Sequence, residues 1–189
     1  MSVFLGLCAI AMLIPVVLVF LPRDLSAVQG YPADTFPEDE PRNLLAEAQE
    51  IMVSRDRELT FSEEEINTYL NERLRGQQDG MMAPLVRFRG VYADFASDSA
   101  EVIVQRDLFG LPLTLGARFR SEKYRGQVVF RPVRWSIGRL SFRSLSIQPV
   151  LEMYMRLRKV CEDEYHVLKM MHEVRFEEDR LVLDPISRR

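Results

Sequence analysis

In the stretch LPLTLGARFR, residues 111–120, apolar and polar side chains alternate along the chain. The apolar residues stand at the odd positions, and two arginines, Arg118 and Arg120, end the even series. A period of two residues is typical of a β-strand with one buried face and one exposed face. The stretch therefore predicts a strand whose apolar face packs on a core and whose other face is rich in arginine.

The same kind of pattern continues on both sides of this strand, over residues 85–147 as a whole. Further alternating or apolar runs cover residues 86–89, 101–108, 129–137 and 140–142. Glycines between or within the runs mark turns or bends. Since the connections are too short for crossover helices, we expect a curved antiparallel meander of about five to six strands.

Segments with a helical period flank the meander. Two short helices are predicted, one over residues 43–55 and one beginning at Ser62, and Pro149 starts a longer helix. The apolar stripe of this long helix comprises Val150, Tyr154, Leu157, Cys161, Leu168 and Met171. A last strand is predicted over residues 174–183, with a turn or bulge at 177–179. The expected class is α+β, with the meander packed on the long C-terminal helix.

The start of the second helix carries the clearest local signal. Ser62 is a suitable N-cap, and Glu65 completes a capping box three residues later. Phe61 and Ile66 occupy the two positions of a hydrophobic staple. The acids at 63–65 suit the helix dipole. Metal ligands or catalytic carboxylates are the alternative for this run, but capping explains it better, and we predict no metal site.

The first residues predict a membrane segment. Val3 to Leu21 contains no charged residue and has the length that a bilayer core requires. The sequence thus divides into a transmembrane anchor at 1–22, an acidic proline-rich linker at 23–41 and an α+β domain at 42–189. We expect a single-pass protein of the bacterial inner membrane with its domain outside the cytoplasm. A cleaved signal peptide is the alternative, although Leu25-Ser26-Ala27 makes a poor cleavage site.

Composition excludes several classes of protein. The chain has 189 residues, 47% of them hydrophobic, which excludes wholesale disorder. Its two cysteines, Cys8 and Cys161, lie in different predicted segments, so no disulfide framework is expected. No phosphate-binding loop, nucleophile elbow or zinc-protease motif is present. Six residues apart on one helix, His166 and His172 point in different directions and cannot share a metal. We predict no cofactor and no enzymatic activity.

Positive charge is concentrated in the predicted sheet. Residues 85–160 hold fourteen arginines and lysines against six acids, a net charge of +8 within a chain of net charge -3. A solvated sheet face, balanced by the acidic helices, is one interpretation. Contact with anionic lipid headgroups through Arg87, Arg89, Arg118 and Arg120 is a second. Nucleic acid is not expected as a partner, because the anchor and the absence of a recognition motif oppose it.

Residues 59–73, LTFSEEEINTYLNER, resemble the opening motif of small bacterial envelope proteins of the YceB and YpmS type. In those proteins a comparable helix follows a membrane or lipid anchor and precedes a curved antiparallel sheet. The resemblance implies a tubular lipid-binding (TULIP-like) fold, in which the sheet wraps a long helix and leaves an apolar groove. It carries no catalytic residue. Asn67 is its distinctive polar position, and we expect this side chain to bond to a neighbouring loop.

Three functional hypotheses follow. The first is a module that binds lipid or another apolar ligand, with an accessory role in envelope assembly. Its expected groove is lined by Leu113, Leu115, Phe119, Trp135, Tyr154 and Leu157. The second is an accessory subunit that binds an envelope protein through the basic face or the Met81-Met82 loop, without a ligand. The third, ranked last, is a hydrolase-type enzyme that uses His166 or His172.

Overall fold

A computed structural model describes residues 13–32, 42–74, 86–143 and 148–186. Within these residues the chain has five helices and two antiparallel sheets, which confirms the α+β class. The helices are α1 (residues 13–20), α2 (Leu44–Ser54), α3 (Glu63–Leu74), α4 (Gln148–Val160) and α5 (Glu162–Met170). The Met81-Met82 loop lies outside the described residues.

The larger sheet is the expected antiparallel meander, and it has five strands in the order β2-β3-β4-β5-β6. Its strands are β2 (Val86–Ala96), β3 (Ser99–Leu108), β4 (Leu111–Tyr124), β5 (Gln127–Ile137) and β6 (Leu140–Phe142). The smaller sheet has the order β1-β8-β7. Its strands are β1 (Leu59–Ser62), β7 (Glu173–Glu177) and β8 (Arg180–Asp184). Local contact along the chain therefore builds the meander, whereas β1 needs a partner more than a hundred residues away.

The two faces of the meander differ in what covers them. The inner face carries apolar residues that pack against the helices, among them Val91, Ala93, Phe95, Ala100, Val104, Ala117 and Phe119. The outer face carries Tyr92 and Ile103, which form a small cluster with Leu25 and Val28 of the N-terminal segment. Residues 23–31 therefore cover part of the outer face. Over that part of the sheet, the side chains on both faces are buried.

Two asparagines attach α3 to the free edge of β2. Asn67 accepts a hydrogen bond from the Ala93 N–H (2.6 Å) and donates one to the Ala93 carbonyl (3.0 Å). Asn71 makes the same pair of bonds to Val91, at 2.8 Å and 2.6 Å. Both asparagines are buried. Their amides therefore replace the backbone of a neighbouring strand at an edge that would otherwise be open.

Glu63 adds a third side-chain contact between α3 and β2. Its Oε2 accepts the Phe95 N–H at 2.7 Å, and its Oε1 accepts the Gln29 N–H at 2.8 Å. Positions four apart on a helix are separated by about 6.0 Å, and positions two apart on a strand by about 6.6 Å. The two spacings nearly match, so Glu63, Asn67 and Asn71 meet Phe95, Ala93 and Val91 in turn. We call these contacts the α3–β2 ladder.

The predicted helix start and the predicted role of Asn67 agree with the coordinates. The Ser62 N–H donates to Glu65 at 2.8 Å, and the Glu65 N–H donates to the Ser62 hydroxyl at 3.2 Å. Asn67 donates to the Gln29 carbonyl at 2.7 Å, which is the expected bond to a neighbouring loop. The capping-box prediction is confirmed, and Asn67 additionally holds the sheet edge.

The C-terminal part of the fold differs from the expectation. The long helix expected from Pro149 ends at Val160, and α5 begins at Glu162. The turn or bulge expected at 177–179 is a turn at 178–179, so the segment expected as one strand over 174–183 is a hairpin of β7 and β8. The Cys161 carbonyl still accepts the Tyr165 N–H at 3.0 Å, so the helical direction changes at Cys161 without a long loop. The apolar residues of the two helices keep one helical period along the sequence. This period therefore does not show that the helix is interrupted at Cys161.

The N-terminal segment is more closely bound to the domain than expected. Residues 23–41 were expected to be a spacer, but Leu25 and Val28 are buried on the outer face of the sheet. The Arg139 N–H donates to the Leu18 carbonyl at 3.0 Å, which joins the end of α1 to the β5–β6 turn. Residues 33–41, like residues 1–12 of the expected anchor, lie outside the described residues. Among the helices that the structure describes, none has both the length and the apolar character needed to cross a bilayer.

Exchange of Asn67 for leucine tests the α3–β2 ladder. Asn67→Leu keeps a side chain of similar size but leaves the buried N–H and carbonyl of Ala93 without partners. We expect the free energy of unfolding to fall by about 2 to 6 kcal/mol, since two polar groups are left unpaired and each costs about 1 to 3 kcal/mol. Urea unfolding of the full chain in dodecyl maltoside micelles measures this change. Glu72→Leu, on the exposed face of α3, is the control and should change stability by about 0.5 kcal/mol or less. Equal losses in the two variants would contradict the ladder.

Candidate functional site

An apolar cavity of about 240 Å³ lies between the inner face of the meander and helices α2 to α5. Strands of both sheets contribute to its wall, including Ala93 and Phe95 from β2 and Phe176 from β7. Among the described residues that line it, the charged ones are Arg158 and Glu164. The cavity is therefore suited to an apolar molecule, with charge available at a restricted part of its wall.

Small side chains on the inner face account for the empty volume. Ala93 and Ala100 on the sheet and Ala48 on α2 are buried and line the cavity. Ala100 stands opposite Phe119 in the β3–β4 register and opposite Phe95 in the β2–β3 register. An alanine between larger neighbours leaves a space that the neighbouring rings do not fill.

Aromatic rings hold the wall around this space. Phe95 stacks on Phe176 with ring centroids 5.9 Å apart, and Phe130 lies 6.1 Å from Phe176. On the other side, the rings of Phe119 and Tyr154 are 4.7 Å apart. Rings that pack on one another in this way resist collapse of the cavity, because each is held by a second ring as well as by its backbone.

The six predicted groove residues come together, although only half of them line the cavity. Leu115, Phe119 and Trp135 are buried in one apolar cluster, and Leu113, Tyr154 and Leu157 pack against it. Of the six, Phe119, Tyr154 and Leu157 line the cavity. Sequence reasoning missed the walls supplied by α2, α3, β1 and β8. The apolar faces of α2 and α3 and the last strand were predicted, whereas β1 was not, and nothing in the sequence places any of them opposite the alanines of the sheet.

The cavity has one polar end, between α3 and α5. Glu164 Oε1 accepts a hydrogen bond from the Tyr69 hydroxyl at 2.7 Å, and Arg73 Nε lies 2.8 Å from the same oxygen. Burial and the Glu164 carboxylate raise the pKa of Tyr69 above its ordinary value of 10, so the hydroxyl keeps its proton and acts as a donor. Among the residues that the structure describes, none donates a hydrogen bond to the buried Glu164 Oε2.

Cys161 lies at the same end of the cavity, at the junction of α4 and α5. Burial, together with the negative charge of Glu164, raises the pKa of its thiol to about 11. Reactive cysteines have a lowered pKa, because the thiolate is the nucleophile. Cys161 is therefore a neutral, partly buried thiol near physiological pH and is suited to packing against an apolar molecule.

The outer face of the meander holds a buried charged cluster centred on Glu101. Arg23 Nη2 donates to Glu101 Oε2 at 3.0 Å, and Arg118 Nη2 donates to the same oxygen at 2.8 Å. Ser136 donates its hydroxyl proton to Oε1 at 3.2 Å. A Cβ atom at Gly116 would lie only 2.3 Å from the Ser136 hydroxyl and 2.6 Å from Oε1. Glycine at this position therefore leaves the room in which the carboxylate is bound.

The four arginines expected to contact lipid headgroups do not form one patch. Arg118 is bound within the charged cluster and also lies 3.5 Å from Asp94. Arg87 and Arg89 are exposed at one end of the sheet, where Arg89 pairs with Asp107 at 2.6 Å. Arg120 is exposed and pairs in register with Arg131 toward the other end. The alternation of residues along the strands predicted that these arginines share one face of the sheet. It did not predict how far apart they lie on that face.

The two histidines also lie apart. His166 is exposed on α5, where it lines a second pocket of about 570 Å³ together with Glu162 and Lys169. His172 follows α5 and lies 2.9 Å from the Lys123 amine through its Nε2. Within the described residues, no group of three or more histidine, cysteine, aspartate or glutamate side chains could hold a metal ion.

Comparison with known proteins adds no family to this geometry. The chain matches no protein-family model, no curated protein and no solved structure. The cavity and the two clusters must therefore be interpreted from their own chemistry.

The Glu101 cluster predicts a component of acid sensitivity. Burial by itself raises the pKa of Glu101, but hydrogen bonds and positive charge from Arg23 and Arg118 outweigh it and hold the pKa below its ordinary value of 4.5. A lowered pKa in the folded state stabilises the fold above about pH 4.5, and this contribution is lost as the pH falls through the lowered pKa. We expect Glu101→Gln to be less stable than wild type near pH 7, with the difference shrinking below about pH 4.5.

Urea unfolding of the full chain in micelles, from about pH 7 to about pH 3, measures this difference. Glu122→Gln is the matched control, because Glu122 pairs with Arg131 on the exposed surface and such pairs contribute little at any pH. A constant difference between wild type and Glu101→Gln across the whole pH range would contradict the assigned role of the carboxylate.

Proposed function

We propose that this chain is a non-catalytic, membrane-anchored protein of the bacterial envelope whose domain binds one small lipid or another apolar molecule. The observation that carries the proposal is the apolar cavity between the meander and the helices. The binding site is formed by the alanine-lined space and the surrounding rings, with Phe119, Tyr154 and Leu157 among its walls.

The volume of the cavity limits the size of the ligand. Its volume of about 240 Å³ exceeds the roughly 150 Å³ of an engineered apolar cavity that binds benzene. It is smaller than the 300 to 1,000 Å³, approximately, of sites for drug-sized ligands. The proposed ligand is therefore a molecule with a single short chain or a small ring system, and a two-chain phospholipid would not fit inside.

The chemistry of the wall supports occupancy. The described residues that line the pocket are almost all apolar, among them Ala48, Phe95 and Leu168. A ligand that fills the space makes dispersion contacts with this wall and removes its apolar surface from water. Because such a ligand binds the folded chain, binding and folding stability are coupled in this domain.

The membrane anchor remains part of the proposal. Its support is the uncharged stretch at residues 3–21 and the exposure of apolar side chains on α1, where Leu13 and Val17 are 59% and 57% exposed. The contact of Leu18 with Arg139 holds the end of α1 against the β5–β6 turn. We propose that this end of the sheet, which also carries Arg87, faces the inner membrane from outside the cytoplasm. An accessory role in envelope assembly fits this placement.

The resemblance of residues 59–73 to the YceB and YpmS type stays a hypothesis. It is consistent with a helix that precedes an antiparallel sheet and with an apolar cavity beneath that sheet. The α3–β2 ladder offers a physical reason for the motif, because Asn67 binds both a loop and the sheet edge.

One observation favours the alternative of a partner-binding accessory subunit. Phe109 and Leu111, at the β3–β4 turn, are 69% and 50% exposed. Neighbouring exposed apolar residues at the tip of a hairpin are suited to contact with another protein. This alternative predicts no ligand in the cavity, so the same experiment separates the two functions.

A pair of alanine exchanges tests ligand binding. Ala100→Leu places a larger side chain in the cavity and should abolish binding with little loss of stability. Ala117→Leu is the matched control, because Ala117 is completely buried on the same face but does not line the cavity. It should lower stability by about 1 to 3 kcal/mol through overpacking, yet keep the ligand.

The measurement is native mass spectrometry and solvent extraction of the full chain purified in micelles. Lipid associated with the anchor is common to all variants, so a cavity ligand is the molecule that only Ala100→Leu lacks. Wild type that carries no such molecule and takes up no added short-chain alcohol or ether would contradict the proposal and favour the partner-binding alternative.

A further inference from the structure

The hairpin between β3 and β4 exposes apolar side chains at its tip. Phe109 is 69% exposed and Leu111 is 50% exposed, and Leu108 beside them is partly buried. Residues 108–113, LFGLPL, contain no polar or charged side chain. Single exposed apolar residues are common on soluble proteins, whereas a contiguous group marks a surface that contacts a membrane or a partner.

The geometry of the turn does not account for the phenylalanine. Phe109 and Gly110 have φ angles of 53° and 81°. In the β4–β5 turn, Arg125 and Gly126 have nearly the same values, 52° and 80°. Two-residue turns of this kind prefer asparagine, aspartate or glycine at the first position, because bulky side chains seldom adopt a positive φ. The exposed ring therefore stands where the backbone disfavours it, and its role lies outside the hairpin itself.

The tip lies at the end of the sheet to which α1 is attached. The Gly138 N–H donates to the Thr114 carbonyl at 2.7 Å, so the β5–β6 turn is level with Thr114. The Leu18 carbonyl of α1 is bonded to Arg139 of this turn. Gly110 precedes Thr114 by four residues. At about 3.3 Å per residue, the tip projects roughly 13 Å beyond the point at which α1 meets the domain.

Basic side chains accompany the apolar tip. The arginines at this end of the sheet that are exposed or partly exposed are Arg87, Arg89, Arg106 and Arg139. Among the described residues, the acids close to them are Asp107, which pairs with Arg89, and Asp24, which lies near Arg139. Anionic lipid headgroups attract basic segments, and phenylalanine and leucine side chains bind at the boundary between headgroups and acyl chains. This combination fits the surface of a bilayer.

We propose that the β3–β4 tip inserts into the leaflet on the domain's side of the membrane, with Phe109 and Leu111 at the boundary of the acyl chains and the arginines among anionic headgroups. The insertion rests on the proposed membrane anchor and gives the domain a second point of attachment. A single helical anchor leaves a domain free to rotate about it. Two separate contacts fix which side of the domain is turned toward the bilayer.

A protein partner is the other class of occupant for an exposed apolar tip. The membrane is favoured because α1 lies at the same end of the sheet and because the uncharged residues 3–12 precede it in the chain. Insertion requires lipid alone, whereas a tip that binds a protein stays in water when no other protein is present. A bilayer that contains only this chain therefore separates the two.

The test places the full chain in nanodiscs of phosphatidylethanolamine and phosphatidylglycerol whose acyl chains either carry bromine or do not. Bromine atoms quench tryptophan fluorescence at short range. Phe109→Trp puts the reporter at the tip. Arg125→Trp is the matched control, because Arg125 occupies the same position of a turn with the same backbone at the opposite end of the sheet. The native Trp135 is buried, and wild type supplies its background.

We expect brominated lipid to quench Phe109→Trp beyond the wild-type background and to leave Arg125→Trp at that background. Leu111→Trp should be quenched as well. Adding Phe109→Asn to Leu111→Trp should reduce this quenching, because the tip loses its aromatic contact with the bilayer. Phe109→Asn also creates the Asn-Gly pair that this turn favours, so the urea midpoint of the domain should not fall. A loss of quenching without a loss of stability distinguishes a lipid contact from a structural role.

Failure of the insertion and failure of the anchor give different results. A chain that stays outside the nanodisc fraction in gel filtration would overturn the proposed anchor together with the insertion. A chain that incorporates, but in which Phe109→Trp and Leu111→Trp are quenched no more than Arg125→Trp, would overturn the insertion alone and favour a protein partner at the tip. If Phe109→Trp does not fold, the comparison of Leu111→Trp with Arg125→Trp decides the question.

Discussion

The α3–β2 ladder is the interaction on which the rest of the domain depends. An edge strand needs partners for its outward backbone groups, and here the side chains of Glu63, Asn67 and Asn71 provide them. Because these polar positions face the strand, the neighbouring face of α3 is turned toward the core, where Ile66 and Tyr69 line the cavity. The same contacts fix β2, and with it Ala93. The position of the cavity wall is therefore a consequence of how the sheet edge is satisfied.

The two faces of the meander differ in what they bury. On the inner face, small alanines leave space that apolar side chains surround. On the outer face, Glu101 is buried with two arginines, Arg23 and Arg118, and Gly116 provides the room. A buried ion pair is weak evidence for stability, because desolvation offsets much of the attraction. Its structural effect here is positional, since it holds the chain that leads from α1 against the sheet.

Much of the local structure could be predicted from the sequence. The capping box at Ser62 and Glu65 and the meander of residues 86–142 depend on neighbours along the chain, and both were correct. The expected bond from Asn67 to a loop was also correct, because an asparagine on an apolar helix face must find a partner. Asn71 gave the same signal and was overlooked. The burial of Leu25 and Val28 was not predicted, since a proline-rich, acidic segment resembles a spacer whether or not a sheet lies beneath it.

The sequence by itself determined helices α2 and α3, the antiparallel order of the meander and the separation of apolar from basic residues on its strands. These features follow from side-chain period and short connections. Only the tertiary structure decided that the apolar surfaces leave a pocket between them, that Arg118 is bound to Glu101, and that Tyr69 and Arg73 meet at Glu164. Each of these depends on distances between segments far apart in the chain. Periodicity predicts on which face of a helix or strand a side chain lies. The space around that side chain and its hydrogen-bond partners depend on how the helices and strands pack together.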